Sequence, residues 1–288
     1  MKGCDLSCVW CHSPESQGFG PDLAFVQSRC IGMESCGECQ RRCEYGAITK
    51  CEAPEGPGKE PVTYPSVDRD KCTLCLKCTS VCPSKALYNT QRLVSVEECM
   101  EVIRHDKKYY ENSGGGVTIS GGEPMSQFDF CMALAKTCKE EGYHVALDTS
   151  GYAPTKQFLD ILPYIDLFLY DLKHMDSERC HSLVGAFNEV ILDNAVMLSK
   201  VGARFQIRIP IIPHLNDSEQ NIRAAAAFCL DIRDSIDLVQ LLPFHTMGEN
   251  KYIQIGKKYH AHVNPPDNVF MQKQLKLFKR LGLPVRIG

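Results

Sequence analysis

Three cysteines near the start of the chain have the spacing of iron–sulfur ligands. Cys4, Cys8 and Cys11 form a C-x3-C-x2-C pattern, which supplies three thiolates and no fourth. Thiolates bind iron–sulfur clusters, and a metal site that lacks one protein ligand has a position for substrate or cofactor. The pattern therefore predicts a 4Fe-4S cluster with one free iron, and chemistry at that iron.

Two further cysteine sets resemble the ligand run of bacterial ferredoxins. The later set is C-x2-C-x2-C-x3-C-P, in which three cysteines bind one cluster and the fourth binds the other. The earlier set differs in a first interval lengthened to five residues, and the similar tails Glu44–Ile48 and Pro83–Leu87 indicate an internal two-fold repeat. The crossed rule assigns one cluster to Cys30, Cys36, Cys39 and Cys82, and the other to Cys43, Cys72, Cys75 and Cys78.

Two zinc sites are the alternative for these eight cysteines, because zinc also binds four thiolates. Two matched sets, one of which ends in Cys82-Pro83, favour iron–sulfur clusters. The six remaining cysteines have no partner at short spacing, and ordinary packing as small buried hydrophobes accounts for them. They are Cys51, Cys99, Cys131, Cys138, Cys180 and Cys229.

Length, charge and hydropathy limit the class of protein. The 288 residues, 44% of them hydrophobic, suffice for one large domain or for one domain with a small insert. The net charge of -3 speaks against binding of nucleic acid, and no apolar run is long enough for a spanning helix. Clustered cysteines at metal-ligand spacing indicate a reduced protein. We expect a cytoplasmic, anaerobic protein that binds neither nucleic acid nor membrane.

Strands and helices alternate after the cysteine-rich region, as in a parallel α/β sheet or barrel. A capping box of Ser95 and Glu98 predicts a helix to about Tyr110, and the segment Ala53–Pro61, rich in proline and glycine, predicts a loop. The predicted strands are Val117–Ser120, His144–Thr149, Leu167–Asp171, Arg204–Ile212 and Leu238–Phe244. The predicted helices are Phe128–Glu141, Lys156–Leu162, Val190–Val201 and Ser218–Ile232.

Most of the predicted strands end in polar or glycine-containing turns. These turns contain Gly121-Gly122-Glu123, Asp148-Thr149-Ser150-Gly151 and Asp171-Leu172-Lys173. Ligands of parallel α/β folds bind at the carboxyl ends of the strands. The turns therefore contain candidate binding residues.

The opening cysteine motif and the parallel α/β pattern resemble the radical S-adenosylmethionine superfamily, with Trp10 in the aromatic place before the third cysteine. The runs Ser113–Pro124, Leu147–Gly151, Asp171–His174 and Leu241–His245 are similar to motifs of the glycyl radical enzyme activating enzymes. This resemblance, which covers nearly the whole chain, implies a partial parallel (β/α)6-type barrel from residues 1–27 and 90–288. Residues 28–89 would form a ferredoxin-like insert with two 4Fe-4S clusters.

The resemblance implies an oxidoreductase of the EC 1.97.1 type that reductively cleaves S-adenosylmethionine. The 5'-deoxyadenosyl radical so formed would take hydrogen from a glycine of a partner glycyl radical enzyme. The two-cluster insert points to dehydratase, decarboxylase, carbon–sulfur or carbon–nitrogen lyase, or arylsuccinate synthase partners, and Gly248–Tyr252 is similar to the arylsuccinate type. A flavodoxin or ferredoxin would supply electrons to a monomer.

The resemblance also implies which residues bind the cofactor. Gly121 and Gly122 would let backbone approach it, Glu123 would accept from its ammonium group, Lys173 would meet its carboxylate, and Arg208 would lie near its ribose. A tight turn is the alternative for the glycines. The implied cofactor-binding residues are Trp10, His12, Gly121, Gly122, Glu123, Asp148, Thr149, Asp171, Lys173, Arg208 and His245.

Some of these residues have further implied roles and further alternatives. Asp148, Thr149 and Asp171 would form a monovalent cation site; a surface ion pair at a strand end is the alternative for Asp148 and, less favoured, for Lys173. His12 would line the adenine side with Trp10, or else be a solvent-facing turn residue. His245 could equally be a satisfied polar residue at a strand end.

The start of the chain departs from the family pattern. Members of that family carry a first barrel strand before the cluster motif, whereas this sequence begins Met1-Lys2-Gly3. A barrel that lacks its first strand would expose unpaired backbone groups at one edge. We therefore expect the natural reading frame to start further upstream, or this chain to be less stable than its relatives.

Two other functions remain open from the sequence. One is a radical S-adenosylmethionine enzyme that acts directly on a small molecule, without a protein partner. The other is an electron carrier in which every cluster is closed. Iron content and the response of the reduced cluster spectrum to S-adenosylmethionine separate the carrier from the enzymes.

Overall fold

The computed structural model describes residues 1–54 and 61–288 of the chain. The described residues form two compact units. The first contains Met1–Gln17, Val94–Gly248 and His260–Gly288, and the second contains Gly18–Leu93 and Glu249–Tyr259. The insert predicted at 28–89 lies within the second unit, which also includes the flanking residues and a segment late in the chain. No helix in the part of the chain described here has the length and apolar character needed to cross a membrane.

Strands and helices follow one another through both units. The strands are β1 (Leu23–Phe25), β2 (Ile48–Pro54), β3 (Pro61–Val67), β4 (Leu87–Asn89), β5 (Gly116–Ile119), β6 (His144–Thr149), β7 (Leu167–Asp171), β8 (Phe205–Ile211), β9 (Ile236–Pro243) and β10 (Val285–Ile287). The helices are α1 (Glu38–Arg42), α2 (Lys77–Ser80), α3 (Val96–His105), α4 (Lys107–Ser113), α5 (Phe128–Glu140), α6 (Thr155–Ile161), α7 (Ser177–Val184), α8 (Glu189–Lys200), α9 (Glu219–Asp231), α10 (Glu249–Gln254) and α11 (Asn268–Arg280).

A six-stranded parallel sheet is the framework of the first unit. Its strand order is β10-β9-β8-β7-β6-β5, so each strand pairs with the next one in the chain. Helices connect successive strands, which is the topology of an open α/β barrel. On β8, buried Phe205, Ile207 and Ile209 alternate with partly exposed Gln206 and Arg208. This alternation buries one face of the strand in the apolar core and leaves the other face for polar groups.

Most predicted elements are present, with ends shifted by no more than two residues. The capping box of Ser95 and Glu98 is confirmed, but the single helix predicted to Tyr110 is wrong. Asp106, at φ -93° and ψ 3°, leaves helical geometry and separates α3 from α4. Sequence patterns missed α7, α11 and β10, the last being a three-residue strand with no alternation to detect.

The loop predicted at Ala53–Pro61 is also wrong at its two ends. Ala53 and Pro54 lie in β2, and Pro61 lies in β3. The β2–β3 pair is an isolated two-stranded sheet, so every strand is an edge and proline can lie on a side that needs no ladder hydrogen bond. Residues 55–60 of this prediction lie outside the described residues.

The backbone of the second unit repeats along its two cysteine sets. Gly37 and Leu76, each directly after the second cysteine of its set, both have left-handed geometry (φ 64° and 58°) and precede α1 and α2. Gly46 and Lys85, three residues after the last cysteine of each set, also share it (φ 61° and 51°). The structure therefore supports the two-fold repeat that the tails indicated.

A glycine in the turn after β6 is required by both its conformation and its surroundings. Gly151 has φ 78°, and a Cβ there would lie 1.9 Å from the hydroxyl oxygen of Tyr170, which donates to the carbonyl of Ile191 at 2.6 Å. We expect Gly151→Ala to lower the free energy of unfolding by more than about 3 kcal/mol. The cost of the left-handed backbone conformation for alanine and the cost of displacing Tyr170 from its hydrogen bond both contribute.

Gly202 provides the matched control for this substitution. It has φ 87° with nothing within 4 Å of its Cβ position, so Gly202→Ala should cost only the backbone term of about 1–2 kcal/mol. Urea unfolding followed by circular dichroism measures both. Equal losses would show that the Tyr170 contact contributes nothing.

Candidate active site

A cleft of about 340 Å³ opens at the carboxyl ends of the parallel strands. The turns that follow β5, β7 and β9 contribute to it, together with residues of β6 and β8 and the segment around the opening cysteines. It is lined by Cys8, Trp10, Cys11, His12, Ser13, Ser120, Gly121, Asp148, Asp171, Lys173, Arg208, Pro210, Ile212, Leu242, Pro243 and Phe244. The cleft therefore brings together most of the cofactor-binding residues predicted from the sequence.

A chain of alternating charges crosses the floor of this cleft. Arg208 on β8 contacts two carboxylates: its Nε lies 2.8 Å from Asp171, and both terminal nitrogens contact Asp148. Lys173 Nζ lies 2.8 Å from the second oxygen of Asp171, and Ser120 donates to Asp148 at 2.8 Å. Because Asp171 and Arg208 are paired in register on adjacent parallel strands, the sheet itself sets their separation.

The charges of this chain depend on one another. Burial and the neighbouring Asp171 raise the pKa of Asp148, against the opposing effect of Arg208. Burial also acts to raise the pKa of Asp171, but Lys173 and Arg208 outweigh it and the pKa falls below its usual value. Burial lowers and Asp171 raises the pKa of Lys173, with a net rise that keeps the ammonium charged. The cleft thus holds two fixed cations beside an ionised carboxylate.

Two of the three opening cysteines, Cys8 and Cys11, line the same cleft, and Cys4 lies close enough to Cys11 and Lys173 for their charges to affect its thiol. Their segment is fastened by backbone hydrogen bonds from Ser7 and Val9 to the carbonyls of Val184 (2.8 Å) and Leu183 (3.0 Å) at the end of α7. Burial raises the pKa of Cys4 to about 11 and that of Cys8 to about 12, with Lys173 acting in the opposite sense on both. Three thiols next to an ammonium group fit an iron–sulfur cluster with an anionic ligand at its free iron.

The two glycines after β5 make room for the chain itself. A Cβ on Gly121 would lie 1.9 Å from the nitrogen of Met1, and one on Gly122 would lie 2.2 Å from the carbonyl oxygen of Gly3. The amide of Gly122 donates to the carbonyl of Met1 at 2.8 Å. Gly121 also lines the cleft, whereas Gly122 does not. The close approach that requires Gly122 is therefore to residues of the opening segment.

Glu123 and Thr149 lie beneath the cleft and do not line it. The Glu123 carboxylate is 1% exposed and accepts four hydrogen bonds: from Met125 N (3.1 Å), Thr149 Oγ1 (2.8 Å), Ser150 N (2.7 Å) and Ser150 Oγ (2.6 Å). Burial nevertheless raises its pKa, with these bonds opposing. In this arrangement Glu123 ties the turn after β5 to the turn after β6.

Aromatic rings close one side of the cleft. Trp10, 5% exposed, and His12 come from the cysteine segment, and His12 stacks on His245 with ring centroids 3.9 Å apart. His245 lies behind His12 and does not line the cleft. Its buried Nδ1 has no hydrogen-bond partner among residues 1–54 and 61–288.

Sequence reasoning missed three buried asparagines that hold the turn after β7. Asn216 donates to the carbonyls of Lys173 (3.0 Å) and Pro210 (2.7 Å), and Asn188 donates to those of His174 (3.0 Å) and Met175 (2.8 Å). Asn221 accepts from the amide of Met175 at 2.8 Å and donates to the carbonyl of Asn216 at 2.7 Å. The Asn216-Asp217-Ser218 run before α9 was the signal available, since such residues favour turns and caps.

Eight of the nine cysteines of the second unit, all but Cys51, line two small pockets in the crossed combination. One pocket contains Cys30, Cys36, Cys39 and Cys82, and the other contains Cys43, Cys72, Cys75 and Cys78. Backbone amides donate to the last sulfur of each set: Ala47 to Cys43 at 3.3 Å and Leu87 to Cys82 at 3.4 Å. No three His, Cys, Asp or Glu side chains of the described ranges could hold one metal ion together. Thiols spread round a pocket fit a cluster, which presents a separate iron to each.

Two protein-family models match the chain, one over the α/β region and one over the cysteine-rich region. Residues 69–226 match the radical SAM superfamily, and residues 17–86 match a 4Fe-4S dicluster domain. These matches define an iron–sulfur protein of the class that binds S-adenosylmethionine. The parallel sheet also resembles a solved domain of the pyruvate-formate lyase-activating enzyme from Bacteroides vulgatus (TM-score 0.52, 30% identity), over 60% of this chain and 99% of that one.

Full-length relatives identify the family more closely. The chain is 40% identical to the (2S)-3-sulfopropanediol dehydratase activating enzyme of Klebsiella oxytoca, over all of this chain and 90% of the relative. It is 36% identical to the trans-4-hydroxy-L-proline dehydratase activating enzyme of Clostridioides difficile (100% and 92% covered) and 35% identical to the indoleacetate decarboxylase activating enzyme of Tractidigestivibacter scatoligenes (98% and 89%). The chain belongs to the glycyl radical enzyme activating enzymes, which are oxidoreductases, and the predicted family is confirmed.

Removal of the central guanidinium tests the charge chain. In Arg208→Met, Asp148 and Asp171 would face each other without a cation between them, so we expect the free energy of unfolding to fall by at least about 2 kcal/mol. Arg204→Met is the control, because Arg204 pairs with Asp237 at the surface, where loss of an ion pair costs below about 1 kcal/mol. Urea unfolding compares the two, and similar losses would contradict a special role for Arg208.

Proposed function

We propose that this protein cleaves S-adenosylmethionine reductively at a 4Fe-4S cluster bound by Cys4, Cys8 and Cys11. The 5'-deoxyadenosyl radical released there would take a hydrogen atom from a glycine of a partner glycyl radical enzyme. The observation that carries the proposal is that the thiols of Cys8 and Cys11, two fixed cations and an aromatic wall line one cleft at the carboxyl ends of the strands.

The residues of the cleft would bind and orient the cofactor. Lys173 would attract its carboxylate as a charge held in place by Asp171, and Trp10 and His12 would pack against its adenine. Arg208 would contact the ribose while it remains paired with Asp148. Because the strand ends fix these groups, the cofactor sulfonium would be held at the free iron.

A monovalent cation beside Asp148 and Asp171 is a further part of the proposal. Arg208 already bridges these carboxylates, so a cation there would compete with the guanidinium. Thr149, whose hydroxyl donates to Glu123, would contribute only after that bond rearranges. Glu123 would position the cofactor indirectly, through the two turns that it joins. It would bind the cofactor directly only if its four hydrogen bonds break.

Two more 4Fe-4S clusters would occupy the pockets of the second unit, for a total of three. They would move electrons between a flavodoxin or ferredoxin and the protein, which would work as a monomer. The relatives named above activate dehydratases and a decarboxylase, which favours a partner of one of these kinds. Lyase and arylsuccinate synthase partners remain within the proposal.

Loss of one opening cysteine should remove cleavage without affecting the other clusters. In anaerobically reconstituted Cys8→Ala we expect iron to fall from about twelve to about eight atoms per chain, and 5'-deoxyadenosine formation with dithionite to stop. Cys51→Ala, an exposed cysteine outside every set, should keep both values. Retained cleavage in Cys8→Ala would refute the assignment.

Formation of the partner radical separates an activating enzyme from one that acts on a small molecule. Incubation with candidate partner enzymes should give the glycyl radical doublet in the electron paramagnetic resonance spectrum. Substitution of the partner's glycine should remove the signal. Rapid turnover of a small molecule without any partner would favour the other class.

Asn216 should influence cofactor binding through Lys173. We expect Asn216→Ala to raise the dissociation constant for S-adenosylmethionine about tenfold, because the turn that carries Lys173 loses its hydrogen bonds to β8. Asn194→Ala is the matched control, because Asn194 is equally buried and also donates two hydrogen bonds, to the carbonyls of Gly151 and Ala153 at 2.9 Å. Equilibrium binding measures the dissociation constant of each variant, and the iron content checks that both are equally loaded. Equal effects of the two substitutions would point to general destabilisation.

A further inference from the structure

The two cysteine pockets of the second unit differ in their exposure. Cys75 is exposed, whereas the other cysteines of both pockets are buried or partly buried. Tyr45 and Leu74 lie at the same pocket or beside it, with 50% and 37% exposed. Solvent therefore reaches one thiol of the pocket formed by Cys43, Cys72, Cys75 and Cys78, within an apolar surround.

The backbone around Cys75 is strained on both sides, and the strain at Leu74 has no counterpart in the other half of the repeat. Leu74 and Leu76, on either side of it, have φ 53° and 58°, a conformation that costs a residue with a Cβ about 1–2 kcal/mol. In the first set the corresponding residues are Ser35 and Gly37, of which only the glycine has positive φ. Strain of this kind persists where the surrounding structure enforces it, and often marks functional sites.

The two pockets also differ in charge. Among the residues that the structure describes, Arg42 and Lys77 line the pocket of Cys75, and no carboxylate does. The other pocket is lined by Glu38 and, within the same described ranges, by no cation. Lys77 pairs with Glu44 at 2.8 Å, so Arg42 is the main source of the positive potential at this pocket.

We propose that this surface is where an acidic electron-transfer protein docks. We call it the Cys75 face, and it consists of Arg42, Tyr45, Leu74, Cys75 and Lys77. The inference rests on the proposed iron–sulfur clusters and specifies which one receives electrons. One electron leaves the reduced donor, which is oxidised by one electron, and reduces the iron–sulfur group bound at Cys75; no bond forms or breaks.

The Cys75 face fits such a partner in size and in charge. Electron-transfer encounters use small contacts, below about 1,200 Å² in total, for which a few exposed side chains around one ligand suffice. Positive charge near the contact raises the association rate of an acidic partner, and salt weakens this effect. At the other pocket the carboxylate of Glu38 is paired with Arg41, so the lining of that pocket offers the partner no comparable attraction.

Charge reversal on the two halves of the repeat tests the assignment. The probe is a reduced flavodoxin with an acidic surface, mixed by stopped flow with the fully loaded protein. We expect Arg42→Glu to lower the second-order rate constant of reduction about tenfold at low ionic strength, and the difference to shrink as salt screens the charges. Lys85→Glu, an exposed lysine after the last cysteine of the other pocket, makes the same charge change and should alter the rate less than about twofold.

The controls separate this inference from the proposed function. Iron content and reduction by dithionite should be the same in all three proteins. Equal losses in both variants, a rate that does not depend on salt, or no reduction of the unsubstituted protein by the acidic donor would overturn the docking surface. Failure of dithionite to reduce the loaded second unit would instead count against its iron–sulfur clusters.

Discussion

The pairing of Asp171 with Arg208 across two parallel strands is the interaction on which the cleft depends. The two residues are partners in the register of β7 and β8, so the sheet fixes their distance before any ligand binds. Arg208 then also contacts Asp148 on β6, and Asp171 also contacts Lys173. The side chains of these residues are between 12% and 21% exposed. At that exposure each charge needs its partner, so the four form one unit.

This dependence explains why the turn after β7 is so heavily supported. Lys173 lies two residues beyond Asp171, outside the regular strand, where the sheet no longer determines its position. Asn216, Asn188 and Asn221 supply the missing constraint with buried hydrogen bonds to the backbone of the turn. Buried amides that satisfy backbone carbonyls hold a loop more rigidly than apolar packing does, because each bond has one acceptable geometry. The backbone of the turn that carries Lys173 is therefore held by asparagines that do not line the cleft, while Asp171 holds its ammonium group.

Sequence patterns predicted the sheet because its strands are buried on one face and its helices are amphipathic. They failed at Asp106, where the backbone leaves helical geometry and separates α3 from α4. They also failed at Val285–Ile287, because a strand of three residues is too short to show alternation. The crossed cysteine sets could be predicted because ligand spacing is a property of the chain alone. The contacts of Glu123 could not, since Ser150 and Thr149 reach it only through pairing of β5 with β6.

The glycine-rich turn after β5 shows how far a motif can be interpreted from its residues. Two glycines at a strand end are consistent with a ligand, and the family resemblance supports that interpretation for Gly121, which lines the cleft. The space beside Gly122 instead holds the carbonyl oxygens of Gly3 and Ser16, at 2.2 and 2.6 Å from its Cβ position. A side chain at either glycine would displace the segment that continues into Cys4, Cys8 and Cys11. The motif therefore positions the opening cysteines against the sheet, and any effect of its substitution on the cofactor would come in part through those thiols.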